Sequence, residues 1–306
     1  MRGVHSATGE LRCAVVAAAV AAFVGVLFDG VAYGSLLFVI SLGLSITLGL
    51  MSFVNLAHGA FAMLGGFLCV GLMRRLGAPF LLTLPVVFIV VGAAGALLET
   101  TLYRRLYRAS HLDQVLFTIG LTFMAVAVST WIWGPTQQPV ELPPFLRRQI
   151  TIAGVDLGTY RLFLIAFVVA LAAALGWLVA RTRFGAALRA AVDDRETAAA
   201  MGVNVGLLFS ATFALGSGLA GVGGALGIDV LGLDPTFAVK YLVYFLLVVA
   251  VGGAGSLKGS LVAAMILGVS DVAGKYYVPE VGGFIIYGVM VVLLVLFPRG
   301  LYGRRV

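Results

Sequence analysis

The feature that most constrains this chain is a succession of long apolar runs that carry no formal charge. They lie at 13–28, 30–57, 76–98, 114–133, 162–180, 205–228, 241–257, 259–270 and 281–298. A helix that crosses a bilayer needs about 20 predominantly apolar residues. His58 is the only ionisable residue in 56–73, which adds a further segment. The runs at 13–28 and 259–270 are short, and the second reaches about 278 only by tolerating Asp271 and Lys275. The pattern reads as an all-α, polytopic transmembrane helix bundle of about 8–10 spans, with residues 1–306 forming one transmembrane domain. The first run, preceded by Arg2 and Arg12, also has the outline of a signal peptide. No persuasive cleavage site precedes Asp29 and another apolar run follows at once, so a retained helix is expected.

Composition closes off the alternatives. The chain is 61% apolar and 11% charged, where soluble domains run at roughly 45–50% and 25%. A soluble enzyme, a nucleic-acid-binding module, a disordered protein and a coiled coil are excluded. Glycine, at 40 of 306 residues, stands at about double its usual share and suits helices that approach closely in lipid. The net charge of +7 reflects basic residues in loops, which orient the protein towards membrane lipid, and calls for no nucleic acid. If 181–204 is cytoplasmic and the segments alternate, thirteen of the 20 basic residues fall on that side, with both termini there too. Cys13 and Cys69 lie in apolar runs and offer neither a disulfide framework nor a metal cluster.

Two connections stand out. Residues 134–160 contain four prolines and form the long segment on the outer side; this is a docking surface for an extracytoplasmic partner or simply a linker. The segment 181–205 is the richest in polar residues. Asp193 and Glu196 have capping-box spacing, Ala198, Ala199, Ala200 and Met201 follow as a small apolar surface, and Gly202 stands where a helix ends. Arg181, Arg183 and Arg189 would lie near the headgroups. A short extramembrane helix of this kind either docks in another protein's groove or is a solvated connector.

Glu196 to Gly202 resembles the Glu-Ala-Ala…Gly cytoplasmic loop of ABC importer permeases, the coupling helix that meets the ATPase subunit. The Ile-x-Leu-Pro ending of that loop is absent, which points to a divergent permease family. Gly49–Leu–Met–Ser–Phe–Val–Asn55–Leu–Ala–His58–Gly59, continuing to Gly65, is similar to the Asn-x-Ala-His-Gly segment of LivH-type branched-chain amino acid permeases. Val251–Gly–Gly–Ala–Gly–Ser–Leu–Lys–Gly259 resembles their Gly-Gly-x-Gly-Ser loop, and Phe297–Pro298–Arg299–Gly300–Leu301 their terminal Pro-x-Gly-Leu. The resemblance runs from about residue 29 to the C-terminus. It implies an inner-membrane subunit whose energy comes from ATP hydrolysed by separate ATPase subunits, with no cofactor bound by this chain. It also implies a second homologous permease and an extracytoplasmic substrate-binding protein. The substrate would be a branched-chain or related amino acid, or urea or a short amide, since the family includes such permeases. Asp193, Asp194, Arg195, Glu196, Ala198, Ala199, Met201 and Gly202 would form the ATPase-docking element. Asn55, His58, Gly59, Gly252, Gly253, Gly255 and Ser256 would form the motif loops.

The glycine loop at 252–259 lacks the order of a nucleotide P-loop, and the G-x-G-x-x-G at 216–221 lies inside an apolar run with no preceding strand. Asn55 and His58 are expected to close a cytoplasmic turn, with His58 capping the helix that starts at Gly59. The segments 58–62 and 258–262 share a weak pattern that suggests duplication or coincidence. Ser217 with Gly221, and Gly223 with Gly227, put small residues along one helix face, for close packing against a second helix or for lining a pathway. Asp271 and Lys275 are spaced for a helical ion pair, and Glu99 can reach Arg104 at the interface. Ser41, Ser45, Thr47, Thr118 and Thr122 are spaced to face the bundle interior. Of these Ser45, Thr118 and Thr122 are candidates to wet a pathway, or they bond carbonyls of their own helices. A carrier coupled to an ion gradient would instead route ions past Asp271, Glu99 and His58.

Overall fold

A computed structural model describes residues 2–302 except 52, 54, 108, 153 and 154. Arg108, Arg304, Arg305 and the side chains of Arg2, Arg12 and Cys13 lie outside the described residues. The helices are α1 (Arg2–Met51), α2 (His58–Leu76), α3 (Phe80–Leu98), α4 (Arg104–Leu106), α5 (His111–Trp133), α6 (Thr159–Arg181), α7 (Arg183–Asp193) and α8 (Arg195–Ala200). They continue with α9 (Val205–Leu231), α10 (Phe237–Lys240), α11 (Leu242–Gly252), α12 (Leu257–Tyr277) and α13 (Gly282–Leu296). A π-helical turn, Glu99–Tyr103, joins α3 to α4. Strands β1 (Gln149–Ile152) and β2 (Val155–Gly158) pair antiparallel, with Ile150 opposite Leu157, inside the proline-rich connection between α5 and α6. Among the described residues, 7 helices are long and apolar enough to cross a membrane, and Phe237–Gly252 and Gly282–Leu296 are shorter apolar helices.

The first two runs are not separate spans. Asp29 does not break the helix: α1 passes through it without interruption and its span covers Ala19–Gly49. The carboxylate is held by Arg161 at the start of α6, so its charge is answered at the end of the bundle where α6 begins. This changes the orientation argument. Gly300 packs on Gly253, and Gly255 packs on Gly49, so the C-terminal segment sits at the Met51 end of α1. The Ala19 end is about 45 Å away along a helix that rises 1.5 Å per residue. Arg2 and Arg12 therefore change sides, and thirteen basic residues against seven become eleven against nine.

The core is built around α9, which α1, α2 and α3 surround. Without water to drive helices together in lipid, association rests on close packing, and small residues permit it. Gly43 of α1 meets Gly216, Ile40 meets Gly223, Gly65 of α2 meets Gly221, and Ala62 meets Gly224. Gly95 of α3 rests against Ser217. The small residues read from the sequence as one packing face thus serve three neighbours on different sides of α9. A second seam runs between α1 and α12, where Gly30 and Gly34 face Val269, Ala264 and Gly268.

At Gly224 a Cβ would collide with the Ala62 carbonyl oxygen, which is rigid backbone. Gly224→Val is expected to destabilise the bundle by about 1–3 kcal/mol, the usual cost of overpacking. Thermal unfolding in detergent measures this. Gly120→Val, where no atom lies within 4 Å of the new Cβ, should shift the transition far less.

Candidate functional site

The 181–205 segment folds as two helices set against the base of the bundle. Thr182 caps α7 by accepting from Gly185 N–H at 3.1 Å. The cap of α8 is Asp194, not Asp193. Asp193 is still helical as the last residue of α7, whereas Asp194 is extended at φ −151°. Asp194 Oδ1 accepts from the amides of Glu196 at 2.9 Å and Thr197 at 3.0 Å, and Oδ2 accepts from the Thr197 hydroxyl at 2.6 Å. The Thr197 hydroxyl and amide, with the Glu196 amide, hold the Asp194 carboxyl below the usual carboxylate range. Glu196 sits in the first turn, where a carboxylate suits the positive end of the helix.

Only Ala198 of this helix is buried, in a cluster with Leu188, Ala191, Val205, Leu208 and Phe209. Asp193, Asp194, Arg195, Glu196, Ala199, Met201 and Gly202 are exposed, Met201 to 81%. Gly202 adopts φ +88°, while its amide and that of Val203 return to Ala199 O and Ala198 O. This is a glycine-terminated helix end. A short capped helix with small side chains is thus presented outward, and Arg189, donating to Val179 O, ties α7 to α6.

The Asn55–His58 motif lies elsewhere than a cytoplasmic turn. Helix α1 stops at Met51, α2 begins at His58, and Phe53, Asn55, Ala57 and His58 are buried. Leu56 N–H donates to Thr118 Oγ1 and Leu56 O accepts from Thr122 Oγ1, both at 3.3 Å. Thr122 lies eleven residues into α5, about 16 Å of helical rise. Asn55 Oδ1 accepts from Ala57 N–H at 3.1 Å and from the Tyr103 hydroxyl at 3.2 Å. His58 makes no side-chain cap; its Nε2 donates to Ile40 O at 2.7 Å. Ile40 stands nine residues back from Gly49, about 14 Å along α1. The break between the two helices is therefore inside the bundle: its polar backbone is satisfied by Thr118 and Thr122 of α5 and by Asn55 itself, whose side chain Tyr103 of the π turn holds. Such backbone is tolerated at membrane depth only when enclosed by protein or lining a cavity.

The second motif loop ties three distant segments together. Gly253 and Gly255 take φ +90° and +78°, and Ser256 caps α12 by accepting from Gly259 N–H at 3.0 Å. Gly255 N–H donates to Ser45 O at 2.9 Å, and the Ser260 hydroxyl donates to Ser45 Oγ at 2.9 Å. Leu301 N–H donates to Val251 O at 2.7 Å, and Tyr302 N–H to Gly252 O at 3.3 Å. Gly59 meets Ala238, and Gly252 meets Gly259, each by direct backbone contact. Thr118 and Thr122 bond carbonyls of their own helix, Gln114 O and Thr118 O, as one reading of the spacing has it; Ser45, Thr118 and Thr122 also hold backbone or hydroxyl partners between helices, a use the spacing did not reveal.

The acids are also engaged. Asp271 Oδ2 accepts from Lys275 Nζ at 2.5 Å, the pair that the spacing anticipated. Glu99 pairs with Arg104 as the spacing anticipated and is itself fully buried: it accepts from Arg104 Nε at 3.2 Å, from the Tyr107 hydroxyl at 2.6 Å and from the Ser210 hydroxyl. Tyr103, Tyr107 and Ser210 carried no sequence signal for these roles, because their partners are 48, 8 and 111 residues away. Among the described residues, no three His, Cys, Asp or Glu side chains are placed to hold a metal ion.

The family described as branched-chain amino acid transport system, permease component, matches residues 26–294. The chain is similar to the probable branched-chain amino acid transport permease protein LivH of Methanocaldococcus jannaschii, at 26% identity over 91% of this chain and 92% of that one. It is similar to the high-affinity branched-chain amino acid transport system permease LivH of Salmonella typhimurium, at 23% identity over 92% and 96%. The corresponding BraD protein of Pseudomonas aeruginosa is 25% identical over 91% and 95%. No solved structure matches the chain.

Because Asp194 has a lowered carboxyl pKa in the fold, its cap is intact above the ordinary aspartate value of about 3.9 and is lost as pH falls through the lowered one. Protection of the Glu196 and Thr197 amides should fall on acidification and in Asp194→Ala, and persist in Asp193→Ala. Hydrogen exchange checks this; an equal loss from Asp193→Ala would contradict the assignment of the cap.

Proposed function

The chain belongs to the family of branched-chain amino acid transport permease components, and from that premise we propose that it is the membrane-spanning subunit of an ABC importer. In this reading the end of the bundle that carries 181–205 and the C-terminal segment faces the cytoplasm. Arg181, Arg183, Arg189 and Arg195 cluster there, in keeping with the positive-inside tendency. Helix α8 is the element that a separate ATPase subunit grips. The observation that carries this reading is the exposed surface formed by Glu196, Ala199, Met201 and Gly202, capped by Asp194 and backed by Ala198 on the core. Small side chains let a partner groove close on the helix backbone, and the flanking charges Asp193 and Glu196 fix its register.

Closure of the ATPase pair would push α8 against Leu188, Val205 and Phe209, and so move the base of α9. Since α9 is packed through glycines against α1, α2 and α3, a displacement at its base reaches the bundle as a rigid-body shift. Transport then proceeds by alternating exposure of the bundle, with a second homologous permease completing the pathway. An extracytoplasmic binding protein would deliver substrate to the outer face, where the 149–158 hairpin and the 134–148 segment are presented. The names of the relatives support branched-chain amino acids as the substrate class. ATP chemistry belongs to the partner subunits. An ion-coupled route is disfavoured because Glu99, Asp271 and His58 are each held in a hydrogen bond or ion pair.

Gly202→Trp places a bulky side chain at a φ of +88° on the proposed contact surface. Losing a central interface contact costs about 2 kcal/mol or more, so co-purification with the ATPase subunit should fall by more than about tenfold, with uptake lost. Retained co-purification and uptake would overturn the docking assignment.

A further inference from the structure

A cleft of about 840 Å³ opens beside α8, between the π turn, α4 and the first turns of α9. Three arginines line it: Arg104, Arg105 and Arg195. Arg104 is fixed from below. Its Nε binds the buried Glu99 at 3.2 Å, and its Nη2 donates to the Ser210 hydroxyl at 2.7 Å and to Gly206 O at 3.3 Å, while the side chain stays 44% exposed. The Arg195 guanidinium lies over the Phe209 ring, 4.6 Å from its centroid, which holds it in place without consuming its in-plane donors. Glu99 also faces the cleft, but its charge is answered by Arg104 and two hydroxyls. Glu196 is the remaining acid, so the lining carries net positive charge.

The level of this cleft selects its occupant. Leu106 ends the span Phe80–Leu106 and Val205 begins the span Val205–Leu231, so both walls lie where helices leave the apolar layer. Val205 and Phe209 give the cleft an apolar side next to its basic one. Basic pockets between transmembrane helices on the cytoplasmic side accept anionic lipid headgroups, and arginine forks match phosphate oxygens. We propose that this cleft binds the phosphate headgroup of an anionic phospholipid, with Arg105 and Arg195 supplying the free donors and Arg104 the fixed one. The bound lipid braces α8 against α4 beside the docking surface. The inference rests on the cytoplasmic orientation of 181–205 argued above.

The test uses the full chain in nanodiscs of phosphatidylcholine with increasing phosphatidylglycerol, with the retained lipid identified by native mass spectrometry after transfer to detergent. The protein should retain phosphatidylglycerol in preference to phosphatidylcholine. Arg105→Ala with Arg195→Ala should reduce that preference by about tenfold or more, Arg105→Lys with Arg195→Lys should restore part of it, and Arg147→Ala with Arg148→Ala on the outer segment should not change it. Equal preference in the protein and the alanine variant would overturn the proposal. Displacement by inorganic phosphate alone would also overturn it, showing a free-anion site. So would release of the lipid on adding the ATPase subunit, showing that the cleft is part of the protein interface. Co-purification of the ATPase subunit with the unsubstituted protein, measured in parallel, distinguishes these failures from failure of the docking reading, since that subunit binds in all three cases and fails to bind only if the docking reading is wrong.

Discussion

Every backbone amide and carbonyl in an apolar surrounding must find a partner, and the break between α1 and α2 is where this fold meets that demand without a helix. Leu56 offers a donor and an acceptor that no helical turn completes, and Thr118 and Thr122, one turn apart on α5, take one each. Asn55 serves the next amide and receives the Tyr103 hydroxyl. His58 reaches Ile40, whose carbonyl has a helical partner as well as the ring. Each buried polar group left unpaired would cost about 1–3 kcal/mol, so these side chains hold α2 at its height in the bundle. From there Ala62 and Gly65 meet Gly224 and Gly221 of α9.

The same logic organises the base. Ser45, Gly49, Val251–Gly259 and Gly300–Leu301 are far apart in sequence, yet they share one knot of backbone hydrogen bonds and glycine contacts. The positive φ values at Gly253, Gly255 and Gly300 let backbone meet backbone where a Cβ would intervene. Next to this rigid knot, α7 and α8 rest on α9 through one small apolar cluster. The arrangement sets a firm frame beside a short, capped and exposed helix. Forces applied at α8 reach α9 directly.

The bundle, the Asp271–Lys275 pair, the small-residue packing of α9 and the short helix ending at Gly202 were legible in the sequence because each is a local pattern: run length, four-residue spacing, or a glycine after alanines. What was not legible depended on tertiary placement. A charge-free stretch followed by Asp29 looks like a span boundary, but Arg161, 132 residues away, makes Asp29 tolerable within one helix. Asn55 and His58 look like a turn in water, whereas Tyr103 of the π turn and Ile40 of α1, with the α5 threonines on Leu56 between them, place them inside. Capping spacing fitted Asp193 with Glu196, but the extension of α7 by one residue moves the cap to Asp194. Thr118 and Thr122 read as wetting a pathway or bonding carbonyls of their own helix; they do bond Gln114 O and Thr118 O, and beyond that they hold the broken backbone.

The central claim is that the break at 55–57 is held inside the bundle by hydroxyls of α5. Hydrogen exchange of the Leu56 and Ala57 amides in nanodiscs, compared between the protein and the Thr118→Val, Thr122→Val double variant, tests it most directly. Removing the partners of one buried donor and one acceptor should speed exchange at these amides by about tenfold or more, while amides in the middle of α9 keep their protection. Unchanged protection at Leu56 and Ala57 in the double variant would contradict the account.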